Sequence, residues 1–120
     1  MKSIKLPKMK VPLFESGDVY FCQHTSEWVR MFEHLKLSDS ISSDTVGRST
    51  VFVSKNGQCI YLIGVFNGSM ATLAHEAAHI AFCICRHVGV EVNQEKSNET
   101  FCYLLTRLVE FGERYMKKPV

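Results

Sequence analysis

No stretch of this 120-residue chain approaches the roughly 18 to 20 uncharged apolar residues that a membrane-crossing helix requires. The opening MKSIKLPKMKVPLF is broken by Lys and Pro where a secretion signal needs an apolar centre, so a cytoplasmic protein is expected. Net charge is nearly absent as well. A formal value of +2 gives too weak a field to argue for a polyanionic partner. Lys2, Lys5, Lys8 and Lys10 form a basic arm over about residues 1–10, but no aromatic side chains are interleaved with them. The arm reads as a solvated terminus, and neither nucleic acid nor membrane is an expected partner. Repeats, low-complexity tracts and linkers are missing too, which leaves one domain spanning 1–120. A disulfide framework is excluded by number and placement: five cysteines cannot all pair, and they lie inside apolar stretches, as reduced thiols used as small hydrophobes do.

What is present is an ordinary globular composition, 46% hydrophobic and 22% charged. DVYFC (18–22) has strand composition. TSEWVRMFEHLKL then places Trp28, Met31, Phe32 and Leu35 at helical spacing after a candidate cap, Thr25. The polar stretch SDSISSDTVGRS (38–49) reads as a surface loop. Asn56-Gly57 between two β-rich runs predicts a hairpin with a type I′ turn and strands near 50–54 and 59–66. Gly64 near the end of the second strand suggests a bulge or the approach of another backbone.

From about Ser69 the period becomes helical, with Leu73, Ala77, Ile80, Ala81, Ile84 and Val88 on one stripe and Gly89 as the stop. A polar loop then leads to a last helix from about Asn98 to Lys117. This order predicts an α+β fold with helices packed on one face of a small antiparallel sheet, the metal-site core covering about residues 50–117.

The long helix carries HEAAH, residues 75–79, inside an otherwise apolar run. Residues four apart lie one turn above each other, so His75 and His79 can direct two imidazoles at one ion. Glu76 is rotated about 100° from His75 and is better placed to reach a water than to join as a ligand. Zinc suits imidazole and carboxylate donors, and a catalytic zinc keeps three protein ligands plus one water. Glu99, at the start of the last helix, is the leading third ligand, with Glu95 and Glu91 as substitutes. A carboxylate there also suits the helix N-terminus, where Ser97 and Asn98 fit as caps.

His75-Glu76-Ala77-Ala78-His79 matches the HExxH signature, and with Asn98-Glu99 the chain resembles the zincins, specifically their glutamate (thermolysin-like) branch. Within that group it is most similar to small phage and prophage proteins with HExxH and a downstream Glu on a final helix. The resemblance covers roughly residues 50–110. It implies a minimal zincin-like domain holding one Zn²⁺ per chain on His75, His79 and Glu99, with Glu76 as general base. Peptide-bond hydrolysis is the implied activity, on a peptide or protein substrate, with the strand CIYLIGVF as the edge to which that substrate adds. A catalytically weak or inactive zincin scaffold, in which zinc is structural and the protein binds or inhibits a host partner, is the other expectation.

Thermolysin-like enzymes continue the downstream motif with Ser and Asp, where this chain has Cys102 and Tyr103. Tyr103, Arg107 and His87 are the candidates for a group that orients a ligand or stabilises the transition state. Cys83 and Cys85 point about 200° apart on a helix and cannot chelate together, though Cys83 can border the site. Cys22 and Cys59 read as strand-face packing.

Overall fold

The computed structural model describes residues 4–116. The chain runs β1 (Lys8–Lys10), β2 (Gly17–Cys22), α1 (Thr25–His34), β3 (Gly47–Val53), β4 (Cys59–Val65), α2 (Met70–Val88) and α3 (Glu99–Met116). The fold is α+β, and no helix among the described residues is long and apolar enough to cross a membrane. Lys2, and the Lys117 end expected for the last helix, lie outside the described residues.

The sheet has four strands in the order β1-β2-β4-β3 and is mixed, not antiparallel throughout. β1 pairs antiparallel with β2, and β3 antiparallel with β4, but β2 and β4 run parallel. The reason is the route of the chain. After β2 it crosses through α1 to the far edge, and the β3–β4 hairpin then returns β4 to lie beside β2. CIYLIGVF is therefore an interior strand, and the edge beside the helices is β3. The basic arm is likewise more than a solvated tail: Lys8–Lys10 is paired, and Leu6 and Val11 on either side are buried.

Helices cover both faces of the sheet, which corrects the one-face expectation. Val19, Phe21, Tyr61, Ile63 and Val65 pack with Leu73, Ala77, Ile80, Ile84, Leu104 and Leu108 of α2 and α3. Leu62 and Cys22 point the other way, onto Trp28 and Met31 of α1. The apolar run of β4 explains this, because a strand without polar alternation needs cover on both sides.

Local chemistry sets the element ends. Ser69 Oγ accepts from the N–H groups of Ala71 and Thr72 (3.2 and 3.4 Å), and Gly89 stops α2 with φ 77°. The N-cap of α1 is His24 and not Thr25, with Glu27 Oε1 accepting from the backbone of Gln23 and His24. The hairpin is as expected but its turn is not type I′: only Gly57 of the Asn-Gly pair has positive φ (87°). Gly57 N–H donates to Ser54 (3.0 Å) and Ser54 N–H to Gln58 (2.9 Å), the pattern of a longer turn closed by one left-handed glycine. Gly64 sits in the regular ladder between Cys22 and Arg48 and is not a bulge. A Cβ there would meet the rings of Phe66 (2.5 Å) and Trp28 (3.0 Å), so the missing side chain makes room for aromatics and not for a backbone.

The polar loop is shorter than expected, because Gly47–Ser49 belong to β3. It is tied down by Asp39, which accepts from Trp28 Nε1 (2.9 Å) and from Arg48 Nη1 (3.0 Å).

Candidate metal centre

The stripe that buries Leu73, Ala77, Ile80 and Ile84 leaves His75 and His79 on the open side of α2, one turn apart. Their Nε2 atoms face each other at 3.3 Å, with ring centroids 4.8 Å apart. Two nitrogens bound to one zinc at about 2.0–2.1 Å and the tetrahedral angle stand about 3.3–3.4 Å apart, so the pair is spaced to share an ion.

Glu76 turns inward, toward the sheet, beside the histidine pair. It is 8% exposed, and its Oε2 lies 4.0 Å from His75 Nε2. Behind it is Gly47 at the start of β3, where a Cβ would come within 3.1 Å of Glu76 Oε2 and 2.5 Å of Thr72 Cγ2. Only glycine lets the strand approach this closely. Glu76 separates two open cavities: one of about 570 Å³ shared by His79 and β3 residues Gly47–Val51, and one of about 490 Å³ that includes His75 and Val46. Its carboxylate thus borders open space on both sides of the histidine pair, within reach of a water.

Glu99 is not brought to this pair. It is exposed at the first position of α3, and Phe101 just after it stacks on Phe82 at 4.5 Å, nearly a turn past His79. The other end of the helix pair is fixed by Gly112 against Leu73. α3 therefore starts alongside the C-terminal half of α2, beyond the histidines. Among the described residues no group of three or more His, Cys, Asp or Glu side chains converges to hold a metal ion. Two donors fit zinc in spacing and chemistry, and a third protein donor is not in place.

Asn98 is not a side-chain cap. Its amide clamps the preceding loop instead, with Oδ1 accepting from Asn93 N–H (2.9 Å) and Nδ2 donating to the Asn93 and Lys96 carbonyls (2.8 and 3.0 Å). Glu91 is exposed and paired with Lys96 at 3.6 Å, and Glu95 is exposed in the same loop.

The three candidate orienting groups lie elsewhere. His87 Nδ1 is 2.9 Å from Tyr61 Oη and 3.6 Å from Cys59 Sγ, at the far end of α2. Burial, then the neighbouring Cys59 thiol, pushes the Tyr61 phenol well above its ordinary pKa. Tyr103 and Arg107 line a separate cavity against Pro12 and Leu13. All five cysteines are free; Cys22, Cys59 and Cys85 are buried, Cys83 lines the His79 groove, and Cys102 is exposed. Gly47 and Arg86, which also border that groove, carry no sequence signal of such a role. A glycine closing a polar loop and an arginine in a last helical turn have ordinary local explanations.

Comparison with protein families, with curated proteins and with solved structures finds no match.

Proposed function

We propose that this chain is a zinc-dependent peptide hydrolase in which His75 and His79 hold the metal and Glu76 is the general base. The observation that carries the reading is the 3.3 Å separation of the two Nε2 atoms, with a largely buried carboxylate 4.0 Å from one of them. When bound, zinc supplies a Lewis acid that lowers the pKa of a water to about 7. The chain's own residues do the rest. Glu76, held by Gly47 and the wall of β3, takes a proton and returns it to the departing amine. The unpaired edge of β3 offers N–H and C=O groups to an extended peptide beside His79. The expected third ligand, Glu99, stands beyond the histidines at the start of α3, so this reading relies on the two imidazoles as the protein donors. The setting proposed is the cytoplasm, that of a host cell for a phage-encoded chain.

Metal analysis of untagged protein tests the metal assignment. Near one equivalent of zinc is expected, lost in His79→Ala; no zinc, or undiminished zinc in that variant, ends it. Glu76→Gln should keep zinc and abolish peptide hydrolysis. The separation of Glu99 from the histidines favours a second reading, a scaffold that binds a host protein without turnover. Biological activity that survives Glu76→Gln would select that reading.

A further inference from the structure

The groove beside His79 has a charge asymmetry that bears on which peptides it takes. Arg86 lies seven residues beyond His79 on α2, hence on the same face and about 10 Å further along the axis. Both line the groove of about 570 Å³, together with Ile80, Phe82 and Val51. The other arginine at this groove, Arg48, is neutralised by Asp39 at 3.0 Å. Arg86 is not: among the described residues its guanidinium donates to Cys83 Sγ (3.4 Å) and meets no carboxylate. At the opposite end is the carboxylate of Glu76. The groove therefore carries an acid at the reacting end and an uncompensated cation at the other, with an apolar floor between them that includes Phe82, 53% exposed.

We infer that Arg86 selects extended peptides bearing an acidic side chain about three residues from the bond placed at His79. The inference rests on the hydrolase reading above. The spacing follows because about 10 Å corresponds to about three residues of extended chain. The side follows from the strand direction. β3 begins at Gly47 beside Glu76 and proceeds along the groove toward Arg86, so a peptide adding antiparallel to β3 has its N-terminal part at Arg86. The acidic residue lies on the N-terminal side of the cleaved bond. Planar guanidinium recognises a carboxylate through paired N–H donors, which an ammonium or a neutral amide cannot reproduce.

The test uses fluorescein-labelled octapeptides that differ only in Glu, Gln or Lys at that position, titrated by anisotropy into the full-length Glu76→Gln protein. The Glu peptide should bind about fivefold to tenfold tighter than the Gln peptide. Arg86→Gln should erase that ratio, Arg86→Glu should invert it toward the Lys peptide, and Arg86→Lys should keep part of it. Equal binding of the Glu and Gln peptides, or a ratio unchanged in Arg86→Gln, overturns the inference. Arg86 is exposed, and urea unfolding of each variant confirms that it folds. The two readings fail distinguishably: peptide cleavage without acidic preference removes only the role of Arg86, whereas absence of zinc removes the hydrolase and the cleaved bond while the acidic preference in binding is still read by anisotropy.

Discussion

Adding one methyl group at Gly47 tests how tightly β3 is held against the candidate site. The new Cβ would lie 2.5 Å from Thr72 Cγ2, whereas ordinary contacts begin at 3.4 Å, so the two must part by about 1 Å. Neither side can retreat freely. Thr72 Oγ1 accepts from Asn67 Nδ2 at 3.0 Å, and α2 is backed by Leu73 and Ala77, both fully buried. Overpacking of this kind costs about 1–3 kcal/mol. For a domain of this size each kcal/mol lowers Tm by roughly 3–6 °C. Gly47→Ala should therefore show a lower urea midpoint with an unchanged m-value. Thr72→Ser removes the offending methyl and keeps the hydroxyl, so the double variant should recover most of the loss. A coupling of about 1 kcal/mol or more between the two sites is expected. A neutral Gly47→Ala, or two changes that simply add, would refute the close approach. The residual 3.1 Å contact with Glu76 means that hydrolysis should stay impaired in the double variant even where stability returns.

Three further outcomes follow from other parts of the molecule. Asp39→Ala strands the indole N–H of Trp28, which is 1% exposed, and should cost about 1–3 kcal/mol by urea unfolding. Asp39→Asn keeps an acceptor, so an equal loss in both variants would count against the hydrogen bond as the cause. Burial first, and the charge of Glu27 second, hold the Cys22 thiol up at about 12 from an ordinary 9.0. The folded value exceeds the unfolded one, so this contribution is whole below pH 9.0 and is lost as pH rises toward about 12. Stability should fall across that window, less steeply in Cys22→Ala, with the raised Tyr61 phenol adding in the same direction; an unchanged slope would exclude Cys22. Zinc at about a hundredfold excess over its Kd should stabilise the fold by about 2.7 kcal/mol, an effect that a chelator reverses and His75→Ala abolishes. Thermal unfolding with and without metal reads it directly.

The readable parts of the sequence were those decided by neighbours in the chain. α2 was bounded correctly because Ser69 and Gly89 act within a few residues of themselves, and the facing of His75 and His79 follows from helical period alone. The hairpin was legible from Asn56-Gly57, while its turn type was set by the hydrogen bonds of Ser54, which composition does not announce. Pairings between distant segments were hidden. Nothing in DVYFC or CIYLIGVF tells that they run parallel, and the short KMK strand forms only because β2 is there to receive it. Counting turns along single helices groups Tyr103, Arg107 and His87 with the site. The positions of Tyr103 and Arg107 depend on how α3 lies on α2, which is fixed by Phe82 on Phe101 and Leu73 on Gly112, whereas His87, on α2 itself, is engaged by Tyr61 and Cys59 of β4. In sequence Gly47 looks like part of a loop, because what makes it indispensable is a helix that begins more than twenty positions later.

The parallel junction of β2 with β4 also sets an expectation for the order in which the molecule assembles. β3 and β4 meet through a short turn, and loops of that size close within microseconds. β2 must find β4 across about forty residues, with α1 and the Asp39 loop in between. Until it does, Leu62 and Tyr61 have no completed layer on either side and Trp28 has no wall to pack against. Substitutions at that junction, such as Val19→Ala, should slow refolding, whereas changes at the hairpin tip should mainly alter unfolding. The histidine pair rides on a helix packed against this sheet, so a change that delays this pairing should delay zinc uptake during refolding as well.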